Sequence, residues 1–233
     1  MKNIKENILA INKRILELSQ DKKEKVTFVA VTKTFPVQDV QEAINTGLIF
    51  DIAESKIQEA LPKFEVLSNS INGINKHFIG HLQSNKAKKA VLNFDLIQSL
   101  DSIDLATDIN RHAADINKIQ NCLIELKVSA EESKFGVSKD KIIEIYEHCI
   151  NNCKNIKVCG IMTIAPYFED KDLVRPYFKL AYKIFDNIKK IKNDGNFNIL
   201  SMGMSDDFEI AIQEGSNMVR VGTAIFGERN YDK

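Results

Sequence analysis

Neither sign of charge is in excess in this chain: 32 lysines and arginines face 32 aspartates and glutamates, a formal net charge of zero over 233 residues. A protein held to nucleic acid by bulk electrostatics needs a basic surplus, so that class is excluded. The short basic cluster NKAKKA (85–90) has helical composition and reads as a solvated helix face. No uncharged apolar run approaches the length that spans a bilayer. The opening MKNIKENILAINKRILEL lacks the apolar centre of a signal peptide and carries Glu6 and Glu17. Its Ile4, Ile8, Ile11, Ile15 and Leu18 fall at helical spacing instead. The expectation is a soluble, cytoplasmic protein with no membrane or nucleic-acid partner.

Cysteine is scarce as well. The four, Cys122, Cys149, Cys153 and Cys159, include no Cys-x-x-Cys. Cys149 and Cys153 share a helix face beside His148, and reduced, buried thiols are the favoured reading over a metal site. With only four prolines and ten glycines, no Pro/Gly/Ser-rich linker divides the chain, and 1–233 is expected to form one domain. At 44% hydrophobic and 27% charged, the composition supports a sizeable core.

What the sequence does hold is an alternation. Apolar, β-branched runs at 26–31, 48–53, 77–80, 95–100, 122–128, 158–163, 198–203 and 218–222 read as strands. Helical stretches at 37–46, 55–69, 84–93, 102–117, 138–151, 170–193 and 206–214 lie between them. Ser138 and the Asp206–Asp207 pair mark helix starts, and Gly215 marks a stop. Along 170–193, Val174, Phe178, Ala181, Phe185 and Ile188 form an apolar face suited to covering a sheet. Eight strand–helix units close naturally into a (β/α)8 TIM barrel, here with an extra N-terminal helix. The alternative is an open doubly wound sheet, but its Gly-x-Gly-x-x-Gly fingerprint is absent after the first strand.

A barrel predicts where chemistry sits: at the carboxyl ends of strands, with phosphate sites after strands seven and eight. Lys33 lies just past the first strand, VTFVAV (26–31). The seventh strand ends in LSMGMSDD (200–207) and the eighth in VRVGTAIFG (219–227), small-residue loops with hydroxyls at Ser205 and Thr223. Free backbone N–H groups in such loops suit a phosphate. A lysine facing a phosphate cradle suggests a phosphorylated carbonyl compound held as a Schiff base.

VAVTKTFP (29–36), HFIGHLQSNKAK (77–88), ESKFGV (132–137), GIMTIAP (160–166) and the long LSMGMSDDFEIAIQEGSNMVRVGTAIFGER (200–229) together resemble one family. It is that of the pyridoxal 5′-phosphate (PLP) homeostasis proteins, relatives of the alanine racemase (fold-type III) barrel. The resemblance implies PLP as cofactor, Lys33 as the Schiff-base lysine, and phosphate contacts at Ser205, Gly222 and Thr223, with Ser201 and Met204 nearby. It sets Arg220 against the pyridine nitrogen. A guanidinium only donates hydrogen bonds, so that nitrogen stays unprotonated and the ring is a poor electron sink. The rival reading of Arg220 is an ion-pair partner of Glu54. Where the family has Gly-Glu-Asn after strand two, this chain has Ala53-Glu54-Ser55; Ser55 keeps a hydroxyl with shorter reach. His81 and, with less support, Lys134, Phe135 and Gly136 are expected at the barrel mouth, whereas His77 begins a strand.

Two classes of function follow from the resemblance. One is a monomeric carrier that holds PLP, limits its free concentration and hands it to apoenzymes without turnover. The other is an amino-acid racemase of the alanine racemase type, which needs a base on each face of the substrate. The second base there is a tyrosine of an added C-terminal domain, which this chain, ending at Lys233, is expected to lack. Tyr167 after the sixth strand is the one candidate substitute, and it also reads as an aromatic packed over the rim. A barrel aldolase forming an imine with a sugar phosphate is a third class.

Overall fold

Eight apolar strands need eight neighbours, and closure supplies them without leaving an edge. The computed structural model describes residues 3–22, 25–129, 135–192 and 195–228. Helix α1 (Ile4–Ser19) leads into β1 (Thr27–Val31), α2 (Val37–Asn45), β2 (Asp51–Glu54), α3 (Ile57–Val66), β3 (Asn75–Phe78) and α4 (Ala87–Asn93). Then come β4 (Leu96–Leu100), α5 (Ile103–Ala114), β5 (Gln120–Leu126), α6 (Ile142–Asn152) and β6 (Ile156–Thr163). The chain finishes with α7 (Arg175–Lys192), β7 (Ile199–Ser201), α8 (Phe208–Gln213), β8 (Met218–Val221) and the short α9 (Thr223–Phe226). The strands pair in parallel in chain order, and β1 closes on β8 with Thr27 opposite Met218 and Val29 opposite Arg220.

Parallel strands are covered on both faces, which is why they read as continuous apolar runs. Alternate residues split into two layers. Val29, Val31, Ala53, Leu96, Leu123, Met162 and Met218 pack inside the barrel. Ala30, Ile52, Phe78, Ile97, Ile124, Val219 and Val221 meet the surrounding helices. Val174, just before α7, and Phe178, Ala181, Phe185 and Ile188 on it are all buried, as their spacing predicts. Helix α1 fills the outer ring between α8 and α2: Ile4, Ile8, Ile11 and Ile15 are buried, and Arg14 reaches Glu209 of α8 at 2.7 Å. Among the described residues no helix is long and apolar enough to cross a membrane. All four cysteines are buried and free, and burial pushes the Cys149 thiol up to about 12.

Element ends differ from the sequence reading where strand pairing sets them. The registers Asp51↔Asn75 through Glu54↔Phe78 begin β3 on two polar residues and end it before Ile79. Helix α6 starts at Ile142 and not after Ser138, whose carbonyl closes a turn with Lys141 N–H at 3.1 Å. Between β5 and β6 the register slips after Cys122, with Cys159 as the extra residue, and next to it stands Gly160, where φ is +151°. A Cβ there would lie 1.8 Å from the Ile199 carbonyl oxygen of β7. Gly160→Ala is therefore expected to cost about 2–3 kcal/mol by forcing backbone apart in a packed barrel; a lowered urea midpoint at unchanged slope checks it.

Candidate functional site

The strand that carries Lys33 ends in a tight turn. Phe35 N–H donates to the Thr32 carbonyl at 3.2 Å, setting Lys33 and Thr34 at the centre of the turn. Thr34 has φ +68°, the positive value a type II turn demands at its third residue. For a β-branched residue that conformation costs about 1–3 kcal/mol and persists only where the surroundings enforce it. The enforcing contacts lie beneath. Lys63 of α3 donates from Nζ to the Thr32 carbonyl at 2.7 Å and to Glu54 Oε1 at 2.5 Å, and Thr32 Oγ1 donates to the same Glu54 oxygen at 2.7 Å. Burial raises the Glu54 carboxyl's affinity for its proton, and Lys63 opposes it. Glu54 thus belongs to the layer between barrel and helices. Its ion-pair partner is Lys63, not Arg220.

Above the turn, at the carboxyl ends of the strands, opens a cleft of about 570 Å³. Six of the eight expected residues line it: Lys33, Met204, Ser205, Arg220, Gly222 and Thr223. Val31, Ile79 and Ile164 supply apolar walls, and Asp206 and Glu228 also border it. Ser55 and Ser201 are not on this lining. Gly80 lies hard against Ser55, since a Cβ on Gly80 would be 2.0 Å from the Ser55 carbonyl oxygen. Ser201 is fully buried behind Arg220. A groove of about 720 Å³ on the other side of the turn is larger, but its lining has Lys63 and neither Arg220 nor Ser205.

Two features of the cleft bear on chemistry. The backbone N–H groups of Gly222 and Ala224 converge on one oxygen, Ser205 Oγ, at 3.1 and 3.3 Å. An acceptor oxygen therefore already fits this pair of donors. Arg220 donates from Nη1 to Ser201 Oγ at 2.7 Å and from Nη2 to the Thr163 carbonyl at 2.9 Å. Burial pulls its guanidinium down to about 10, against the pull of Asp207 and Glu125, so it stays cationic at neutral pH. Asp207 fixes the loop in turn by accepting from Met204 N–H at 2.6 Å.

Around the rim, His81 lies 3.2 Å from Asp101 and stacks on Phe135 with ring centres 4.0 Å apart. Gly136 adopts φ +104° against the Glu125 backbone, and Lys134 lies outside the described residues. Tyr167 is 79% exposed and is not on the cleft lining. His77 is a buried interior residue of β3 and not merely the start of a strand. The sequence reading passed over Glu125, a carboxylate inside the apolar run CLIELKV whose alternation with Leu123 turns it into the barrel. Burial, then Asp101, push its carboxyl up to about 7, while Arg220 pulls the other way.

The folded protein thus keeps a Glu125 proton that an ordinary carboxyl releases near 4.5, so this group's contribution to stability declines as pH rises from about 4.5 to about 7. Glu125→Gln removes that loss. The variant is expected to be more stable than wild type at pH 8 by about 1–3 kcal/mol, with little difference at pH 4. Thermal melts at the two pH values check this.

With the geometry in place, the likenesses become informative. Residues 2–230 match the family described as alanine racemase, N-terminal domain. A pyridoxal phosphate homeostasis protein of Aquifex aeolicus is 41% identical over 207 residues, 87% of this chain and 87% of that one. One from Synechocystis is 40% identical over 208 residues, covering 88% and 92%. The fold agrees with that of PipY of Synechococcus elongatus with PLP bound: TM-score 0.81, 30% identity, covering 93% of this chain and 100% of that one. The chain belongs to the alanine racemase N-terminal domain family and, within it, to the pyridoxal phosphate homeostasis proteins.

Proposed function

We propose that this protein binds PLP in the cleft at the carboxyl end of its barrel and takes part in PLP homeostasis, holding the cofactor as a Schiff base on Lys33 without turning over a substrate. The observation that carries the reading is the joining, on one cleft, of a lysine on an enforced turn, a donor-only arginine and two convergent backbone N–H groups. The PLP-bound relative of the same fold supports it. When bound, PLP supplies an aldehyde for the lysine amine and a ring that withdraws electrons most strongly when its nitrogen is protonated.

Each residue then has a distinct task. Lys33 provides the amine. Gly222 and Ala224 N–H groups would hold the phosphate once the Ser205 hydroxyl yields its place between them, with the Ser205 and Thr223 hydroxyls beside it; Met204 borders it. Arg220 faces the ring nitrogen and offers it only donors, so no group there retains a proton on the ring. Ser201 acts from behind by accepting from Arg220, and Ser55 lies at the edge, where a water bridges its shorter side chain. The apolar walls Val31, Ile79 and Ile164 exclude water from the ring. In this reading the whole chain works as one domain, a cytoplasmic monomer that passes PLP to apoenzymes by transient contact.

A racemase would need a second base opposite Lys33, and the exposed Tyr167 is the residue that could be drawn in. The deciding test is exchange of the α-proton of D- and L-alanine in heavy water with PLP-loaded protein. Exchange no faster than with free PLP is expected; sustained exchange with interconversion of the enantiomers would replace the carrier with an enzyme.

A further inference from the structure

The barrel interior holds a line of polar side chains where apolar layers are the rule. It begins at Arg220 on β8, whose Nη1 donates to Ser201 Oγ on β7 at 2.7 Å. Ser201 Oγ donates to Gln98 Oε1 on β4 at 2.7 Å. Gln98 Nε2 lies 2.8 Å from His77 Nδ1 on β3, and His77 Nε2 lies 3.1 Å from Asp51 Oδ1 on β2. Ser201, Gln98, His77 and Arg220 are all buried. The line runs across the barrel, and its far end is a carboxylate that also accepts from Asn75 Nδ2 at 3.0 Å.

The direction of every bond follows from its first member. A guanidinium has no acceptor, so Ser201 Oγ must accept from Arg220 and turn its own proton toward Gln98. Gln98 then presents oxygen to Ser201 and NH2 to His77. The His77 Nδ1 is therefore bare, and the ring proton sits on Nε2, donating to Asp51. Reversing the amide would set two donors, Arg220 and the Gln98 NH2, against one hydroxyl whose own proton Arg220 cannot take. We propose that Gln98 and His77 are positioning residues for Arg220: by fixing Ser201 as an oriented acceptor, they hold the guanidinium at the face it presents to the cleft. The proposal rests on the reading of that cleft as the PLP site, but the polarity of the line does not.

The test joins nitrogen-15 NMR of the histidine rings with the visible spectrum after PLP addition, at one neutral pH. In wild type His77 is expected to carry its proton on Nε2 with Nδ1 bare. Ser201→Ala, which alters no atom touching His77, frees the amide to reverse and should raise the Nδ1-protonated population severalfold. Gln98→Met, of similar volume, should shift the cofactor's absorption maximum and weaken PLP binding about tenfold, the worth of one buried hydrogen bond. Should Gln98→Met fail to fold, Gln98→Glu offers an acceptor at both ends and must draw a proton onto Nδ1. A His77 protonated on Nδ1 in wild type, an unchanged ring in Ser201→Ala, or a Gln98→Met protein with wild-type spectrum and affinity would overturn the proposal. Absence of any visible band in wild type, with the His77 ring as expected, would count against the PLP reading alone.

Discussion

Lys33→Ala is expected to abolish the visible absorption band of the PLP-loaded protein and to release the cofactor during gel filtration. The amine sits on the cleft that Arg220, Gly222 and Ser205 also line, with the Gly222 and Ala224 N–H groups converging on Ser205 Oγ. Removing it leaves those donors in place, so affinity falls roughly a hundredfold or more, about 2.7 kcal/mol, and does not vanish. Lys33→Arg separates charge from chemistry. A guanidinium keeps the positive charge but cannot be deprotonated to attack an aldehyde, so this variant should also lack the band while holding more PLP than the alanine variant. Titration by cofactor fluorescence measures both. A Lys33→Ala protein that keeps its band and its affinity would move the Schiff base to another lysine.

The largest effect on stability is expected at Lys63. Among the described residues its ammonium is the ion-pair partner of the fully buried Glu54, and Glu54 Oε2 has no hydrogen-bond partner there. Lys63→Met strips the ion pair and leaves a carboxylate in the dry layer between barrel and helices, at a cost of about 3–5 kcal/mol. Replacing both members, Lys63→Met with Glu54→Leu, removes the charge altogether and should recover most of that loss. The paired variant would still differ from wild type at the site. Lys63 also donates to the Thr32 carbonyl, the acceptor that closes the turn with Thr34 at φ +68°. Without it the strained turn is less firmly held, so the double variant should fold yet bind PLP more weakly. Chemical unfolding read beside PLP titration separates the two effects. Equal loss of stability in single and double variants would contradict the account of the buried pair.

The barrel was legible because parallel strands are buried on both faces and leave long apolar runs, while each connecting helix keeps a 3.6-residue period, as in α7. Strand ends were less so. β3 begins on Asn75 and Lys76, polar residues that belong to the ladder only because Asp51 and Ile52 pair with them. The four-residue α9 is too short to carry a period and follows a glycine that reads as a turn. Of the candidate site, Lys33 and the Gly222–Thr223 loop stood out from their places after strands, and the motif resemblance added Arg220. The supports did not stand out. Glu54 and Lys63 are nine residues apart on a strand and a helix, and Arg220, Ser201, Gln98 and His77 come from four strands. Packing of α3 on β2 makes the first pair neighbours, and closure of the barrel the second set. Glu125 was the exception that left a mark, one carboxylate at an inward position in the otherwise apolar stretch 122–126.

The measurement that bears most directly on the central claim is borohydride reduction of the PLP-loaded protein followed by peptide mass mapping. Reduction fixes the cofactor to whichever amine holds it. The account predicts a single pyridoxyl mass increment on the peptide containing Lys33, absent from Lys33→Ala. An increment on any other lysine, or none in a protein that carries the visible band, would contradict it.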